Sequence, residues 1–291
     1  MCFGAWITLS FMLFAEPLIA LVRLSLSSDD ASHLVLIPFL SAWVFFVERK
    51  SIFLNPSYNA RLGGVFLFLA ACSGIGTRFM GSASSADLRL TGYILALILS
   101  WIAGFAFFFG RIAVRAGSFP LLFLFLTIPL PNFLLNRIIY LLQLGSADIT
   151  GALFDLFGVP ALREGFVFRL AHVNIEVAKE CSGIRSSMVL LILALLVVHF
   201  CLRRFWKKAL FVTCGLFMMI LKNGIRIATL TLLAMYVDPD FLTGKLHHEG
   251  GIVFFLLGLL LLLPILFLLQ RGESQALVDK KELAASSEQG T

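Results

Sequence analysis

The chain is poor in charge: 14% of its 291 residues are Asp, Glu, Lys or Arg, against 59% hydrophobic ones, and mean hydropathy is +0.96. So little polar surface cannot coat a water-soluble body of this length, which excludes a soluble globular protein. Cysteine is sparse too. Cys2, Cys72, Cys181, Cys201 and Cys214 stand far apart with no CxxC pair, so neither a disulfide framework nor a zinc site is expected. No HExxH pair occurs, and His247-His248-Glu249 lacks the i, i+4 spacing of helical ligands, which argues against an intramembrane metalloprotease. No internal repeat and no low-complexity block is present outside the polar tail after Arg271. No cofactor and no metal are predicted.

What the chain has is long apolar runs. A bilayer crossing takes roughly 20 apolar residues, and runs near 3–23, 31–47, 63–81, 90–110, 117–130, 186–202, 209–236 and 250–270 predict an all-α polytopic membrane protein with about eight transmembrane helices. The first run carries Glu16 and has no small-residue cleavage site, so it is read as a retained helix. The fifth is short and ends in Ile128-Pro-Leu-Pro131, which predicts a tilted or broken span. Residues 1–270 are read as one membrane domain and 271–291 as a polar cytoplasmic tail, disordered or weakly helical.

Cytoplasmic flanks carry excess Lys and Arg. Arg49, Lys50 and Arg61, then Arg111 and Arg115, then Arg203, Arg204, Lys207 and Lys208, and finally Arg271, Lys280 and Lys281 all fall on one side if there are eight spans. Both termini are then cytoplasmic, and the net charge of +6 is this orientation signal rather than a nucleic-acid footprint. The segment around Cys181 falls on the outer face.

Between the fifth and sixth runs lies an outer-face insertion, 131–185. Residues 133–157 read as one or two helices lying on, or partly in, the membrane. Gly158-Val-Pro160 ends them. Phe166–Leu170 and Val173–Val177 alternate apolar and polar residues and predict a β-hairpin turning near Ala171-His172. It delivers the chain to Cys181.

Cys181 stands between a polar segment and the start of an apolar run, hence at a helix N-terminus, where the dipole and any nearby Arg or His⁺ favour the nucleophilic thiolate. Lys222, Asn223 and Arg226 lie inside the seventh run, where charge is costly and points to function, and Asn223 and Arg226 share a helical face. His247 and His248 precede the last run, on the same outer side, and histidine serves as both base and acid near neutral pH. Arg185 is a rival thiolate stabiliser, and His172 a reserve base. Each has an ordinary reading as well: a packing cysteine whose neighbour Glu180 raises its pKa, a structural arginine, a loop histidine, a snorkelling Arg185. The convergence of Cys, Arg and His at one membrane depth outweighs any of them singly. The rival from another class is a non-catalytic transporter or exopolysaccharide-export component, with Lys222 and Arg226 binding an anionic solute.

Glu180-Cys-Ser-Gly-Ile-Arg185 opening a span, Asn223-Gly-Ile-Arg226 within the next and His247 four residues before Gly251-Ile-Val-Phe-Phe255 resemble the exosortase/archaeosortase family. So do Leu142-Gln143 and Gly158-Val-Pro160, and the resemblance spans roughly 30–270. It implies a cysteine-dependent protein-sorting transpeptidase of the bacterial inner membrane with Cys181, Arg226 and His247 as catalytic positions, and His248, Asn223 and Arg185 as supporting or alternative ones. The implied partners are exported proteins whose C-terminal signal joins a short motif, a membrane helix and a basic tail. In many bacteria this system accompanies exopolysaccharide production. The acceptor is water, or an amine or hydroxyl of a lipid or glycan. Membrane lipids surround the protein, and no nucleic acid is expected.

Overall fold

The structure is a computed structural model that describes residues 2–80, 85–171, 173–177, 183–242 and 251–288. The chain divides into two compact units, 1–136 and 137–291.

In the first unit, α1 (Cys2–Leu13), α2 (Ala15–Ser27), α3 (Leu36–Ile52), α4 (Ala60–Phe79), α5 (Ala86–Ala116) and α6 (Ser118–Phe123) follow one another. The expected first span is bent by 73° between α1 and α2. Pro17, in the first turn of α2, has no N–H to donate to the Leu13 carbonyl, so the helix breaks one turn before it. Helix α4 lies antiparallel on α5: the Ser73 hydroxyl donates to the Gly92 carbonyl at 3.0 Å, and a Cβ on Gly63 would come within 2.8 Å of Phe107 Cβ. Asn59 caps α4 through its side-chain oxygen, which accepts from Leu62 N at 3.0 Å. Two indoles fasten α1 to α5, Trp6 Nε1 donating to the Ser100 carbonyl and Trp101 Nε1 to Ser10 Oγ. Among them Ile94, Leu97, Ile98, Ile102 and Phe105 of α5 form the buried centre.

The second unit holds most of α7 (Asn132–Leu156), a three-stranded antiparallel sheet of β1 (Leu162–Glu164), β2 (Val167–Arg169) and β3 (Asn174–Glu176), then α8 (Ile184–Cys201), α9 (Phe205–Tyr236) and α10 (Gly251–Glu288). The expected hairpin is the β2–β3 pair, in which Phe168 faces Ile175. Its turn residue His172 lies outside the described residues. Strand β1, unforeseen in the sequence, pairs with the other edge of β2. It is tethered to α7 by Arg163, whose guanidinium meets Asp148 at 2.7 Å. The sheet's apolar side packs on α7 and α9 through Phe154, Phe168, Val177 and Ile227, with Phe154 and Phe168 edge to face at 5.5 Å.

Among the described residues six helices are long and apolar enough to cross a membrane, or eight if each of two bent pairs counts as one span. The expected runs 63–81, 90–110, 186–202, 209–236 and 250–270 are α4, α5, α8, α9 and α10. The fifth run, as its prolines predict, stops short: Ser118–Thr127 forms a bent pair with Asn132–Leu156. The insertion's helix is a single one of 25 residues. Gln143, Ser146 and Thr150 are buried while Tyr140, Leu141, Leu144 and Leu156 are exposed. After Arg271 the tail continues as helix to Glu288.

In lipid, helices gain little from hydrophobic burial against one another and associate through close packing at small residues. Gly224 marks the α7–α9 crossing, where an added Cβ would stand 2.5 Å from Ile149 Cγ2 and 3.2 Å from the Ser146 carbonyl. Gly151 also lies on α7, but its Cβ would meet Phe168 at an ordinary 3.6 Å. Helix propensity alone favours alanine at either place by about 1 kcal/mol. Overpacking of about 1–3 kcal/mol reverses the sign at Gly224 only. We therefore expect Gly224→Ala to lower, and Gly151→Ala to leave unchanged or raise, the thermal unfolding midpoint of detergent-solubilised protein.

Candidate functional site

Helix α9 supplies the buried polar groups around which the second unit is arranged. Asn223 is 1% exposed. Its amide nitrogen donates to Ser146 Oγ on α7 at 3.0 Å, and its oxygen faces Gly183, where a Cβ would approach it to 2.8 Å. A second bond at the same crossing runs from Thr150 Oγ1, which donates to the Ser146 carbonyl at 2.7 Å and reaches the Gly224 carbonyl at 3.3 Å.

Gly183 is the N-cap of α8, in the left-handed conformation at φ 67° and ψ 21°. Its carbonyl receives both the Ser187 backbone N–H at 2.9 Å and the Ser186 hydroxyl at 3.0 Å. Ser186 in turn accepts a hydrogen bond from Lys222 Nζ. Lys222 is buried at 2% exposure, between α8 and the Gly258 position of α10, where a Cβ would stand 3.2 Å from Lys222 Cδ. Adjacent residues of α9 thus hold the first turn of α8 in two ways, Asn223 against its cap and Lys222 through Ser186.

Arg226 lies one turn beyond Lys222 and Asn223 and is partly exposed, while Arg185, in the first turn of α8, is exposed. The two arginines therefore differ in surroundings, Arg226 inside a span and Arg185 at a helix start. Cys181, His172, His247 and His248 lie outside the described residues. The chain reaches position 181 from two directions, both fixed. From the N-terminal side, β3 ends at Glu176, and the next carbonyl, that of Val177, accepts from Gln143 Nε2 of α7 at 2.7 Å. From the C-terminal side comes Gly183.

Sequence reasoning singled out Lys222, Asn223 and Arg226 but missed Ser146, Ser186 and the inward role of Gln143. Position held the signal. Gln143, Ser146 and Thr150 recur at i, i+3 and i+7 of α7, a stripe on one face that must meet polar partners inside the protein or water outside it.

Gly183 is tested against another left-handed glycine. Gly165 has φ 64° with no atom within 4 Å of an added Cβ, so Gly165→Ala carries only the backbone penalty of about 1–2 kcal/mol. Gly183→Ala adds a collision with Asn223. Its unfolding midpoint should fall further than that of Gly165→Ala in thermal scans of the purified protein.

No curated protein and no solved structure matches the chain. The family model described as Transmembrane exosortase matches residues 25–264, a stretch that holds the start of α8, the Lys222–Arg226 turn of α9 and the first part of α10, and the chain belongs to that family.

Proposed function

We propose that this multi-pass membrane protein, a protein-sorting enzyme at the level of its family, cleaves the C-terminal sorting signal of exported proteins by cysteine acyl transfer at the outer face of the bacterial plasma membrane. The observation that carries the reading is the fastening of the α8 N-terminus by Lys222 and Asn223, one turn from Arg226. The sequence puts Cys181 two residues before that N-terminus. A helix N-terminus presents unpaired N–H groups and the positive end of the dipole, which is suited to a thiolate and to the oxyanion it generates.

The Cys181 thiolate attacks the carbonyl carbon of the scissile peptide bond, forming a C–S bond and pushing the carbonyl electrons onto oxygen. Arg226 stabilises this oxyanion in a region of low dielectric. Collapse breaks the C–N bond, and His247, protonated at the expense of the cysteine thiol, gives that proton to the leaving amine of the signal helix. His248 is the neighbouring alternative for this role. The retained N-terminal part is held as a thioester on Cys181. Water, or an amine or hydroxyl of a lipid or glycan, then attacks the thioester carbonyl and surrenders its proton to the histidine, and the thiolate departs. Arg185, exposed at the helix start, supports the thiolate electrostatically.

The test is co-expression with a substrate bearing a short motif, a membrane helix and a basic tail. Wild type should shorten the substrate and yield a thiol-sensitive enzyme–substrate adduct, whereas Cys181→Ala should do neither. Loss of one oxyanion donor costs on the order of 10²–10³ in rate, so Arg226→Ala should insert normally yet process at about that deficit. Unchanged processing by Cys181→Ala would remove the acyl-transfer reading and favour a non-catalytic membrane component.

A further inference from the structure

One end of the first unit is built from three stretches of chain that meet at a break in α5. Gly110 interrupts that helix with a φ of 77°, a backbone that L side chains rarely adopt. An added Cβ there would also collide with the Ser57 carbonyl, so glycine lets the α3–α4 connection pass against the helix. The connection bonds to carbonyls at the break: Ser57 N donates to the Phe109 oxygen at 3.1 Å and Asn59 N to the Phe107 oxygen at 3.2 Å. The rings of Phe53 and Tyr58 meet those of Phe109 and Phe107 edge to face at 4.8 and 4.5 Å. On the far side of the break, Phe45 and Ile52 of α3 lie against Gly117. The end of α3, the start of α4 and the last turns of α5 therefore form one surface.

That surface is cationic. Arg49 and Lys50 close α3, Arg61 opens α4, and Arg111 and Arg115 stand one turn apart beyond the break, all of them exposed. Residues 44–64 and 104–118, every one of them described, hold a single carboxylate, Glu48. Arg49 folds back on its own helix and donates to the Phe46 carbonyl at 2.7 Å. Lys50, Arg61, Arg111 and Arg115 make no ion pair and no side-chain hydrogen bond among the described residues. Leu54, Tyr58 and Ile112, carried by the same stretches, are exposed as well. An acidic protein or a nucleic acid approaching through water would leave such apolar side chains bare. At the headgroup boundary of a bilayer both kinds of group are satisfied, the apolar ones by acyl chains and the cations by phosphates that their long stems reach.

We infer that this end of the first unit binds the headgroups of anionic phospholipids through Lys50, Arg61, Arg111 and Arg115. The inference goes beyond the sorting reaction and does not depend on the assignment of Cys181. Attraction between basic side chains and an anionic lipid surface grows with each cation and is screened by salt, so the binding is selective for lipid charge and sensitive to ionic strength.

The experiment titrates the full-length protein in neutral detergent with dioleoylphosphatidylglycerol and, separately, with dioleoylphosphatidylcholine, and reads the thermal unfolding midpoint, which rises with any ligand that binds the folded form. Phosphatidylglycerol should raise the midpoint saturably and more than phosphatidylcholine at equal mole fraction, and added salt should shrink the difference. Arg111→Gln combined with Arg115→Gln should shift the phosphatidylglycerol titration to at least about tenfold higher lipid. Arg78→Gln combined with Arg89→Gln removes as much charge from the opposite end of the α4–α5 hairpin and should titrate as wild type. Equal shifts with the two lipids, an equal response to inorganic phosphate, a wild-type titration by the Arg111 and Arg115 variant, or equal weakening in both double variants overturns the inference. If the first double variant does not fold, Lys50→Gln combined with Arg61→Gln is measured in its place against the same outcomes.

Discussion

The hydrogen bond from Asn223 to Ser146 is the contact around which the second unit is organised. An amide buried in an apolar unit cannot turn to water, and an unsatisfied one costs about 1–3 kcal/mol. Its partners must come from neighbouring helices. Asn223 draws its nitrogen partner from α7 and sets its oxygen against the cap of α8, so one side chain fixes three helices with respect to each other. Lys222, the preceding residue, is fastened to α8. In the first turn of α9, Lys207 donates to the Leu269 carbonyl of α10 at 2.6 Å. Helix α9 thus holds α7, α8 and α10 each by a polar bond of its own, and the first turn of α8, where the chemistry is proposed, is held twice.

Such bonds form only if the backbones come close. Gly224 and Gly145 on the two sides of the α7–α9 crossing leave no room for a Cβ beside Ile149 and Ile220, and Gly258 leaves α10 open for the Lys222 stem. Within lipid, where apolar side chains are as content against acyl chains as against one another, these close approaches and the enclosed hydrogen bonds supply specificity that greasy surface cannot. The small sheet is different. There Phe168 of β2 packs on Phe154 of α7 as in a soluble core, and burial of such rings stabilises by about 1.5–3 kcal/mol each.

Helices α8, α9 and α10 of the second unit were legible because their apolar runs are long and basic clusters lie between or after them. The bend between α1 and α2 was not read, although Pro17 marks it, because hydropathy sums over a run and is blind to one missing N–H. Strand β1 escaped because three residues are too few to show an alternation, and its anchor, Arg163 to Asp148, joins positions 15 apart across a helix end. The inward polar stripe of α7 was visible as residues but not as a direction, since a lone amphipathic pattern does not say whether its polar face meets water or protein. At the site, sequence picked out the charged members of the α9 cluster by their cost in a membrane. Ser146 and Ser186 escaped because a serine costs little anywhere, and only its partner reveals its use.

The two buried lysines of α9 show why cost is informative. Lys207 lies in the first turn of the helix, within a residue of the exposed Trp206 and with its ammonium 5.5 Å from that ring. A long stem there reaches the Leu269 carbonyl of α10 beside the exposed start of its own helix, at small expense. Lys222 has no such exit. Lys222 is instead enclosed, its ammonium bonded to Ser186 of α8 and its stem set against Gly258 of α10, so its place is fixed by neighbouring helices rather than by an exit to water.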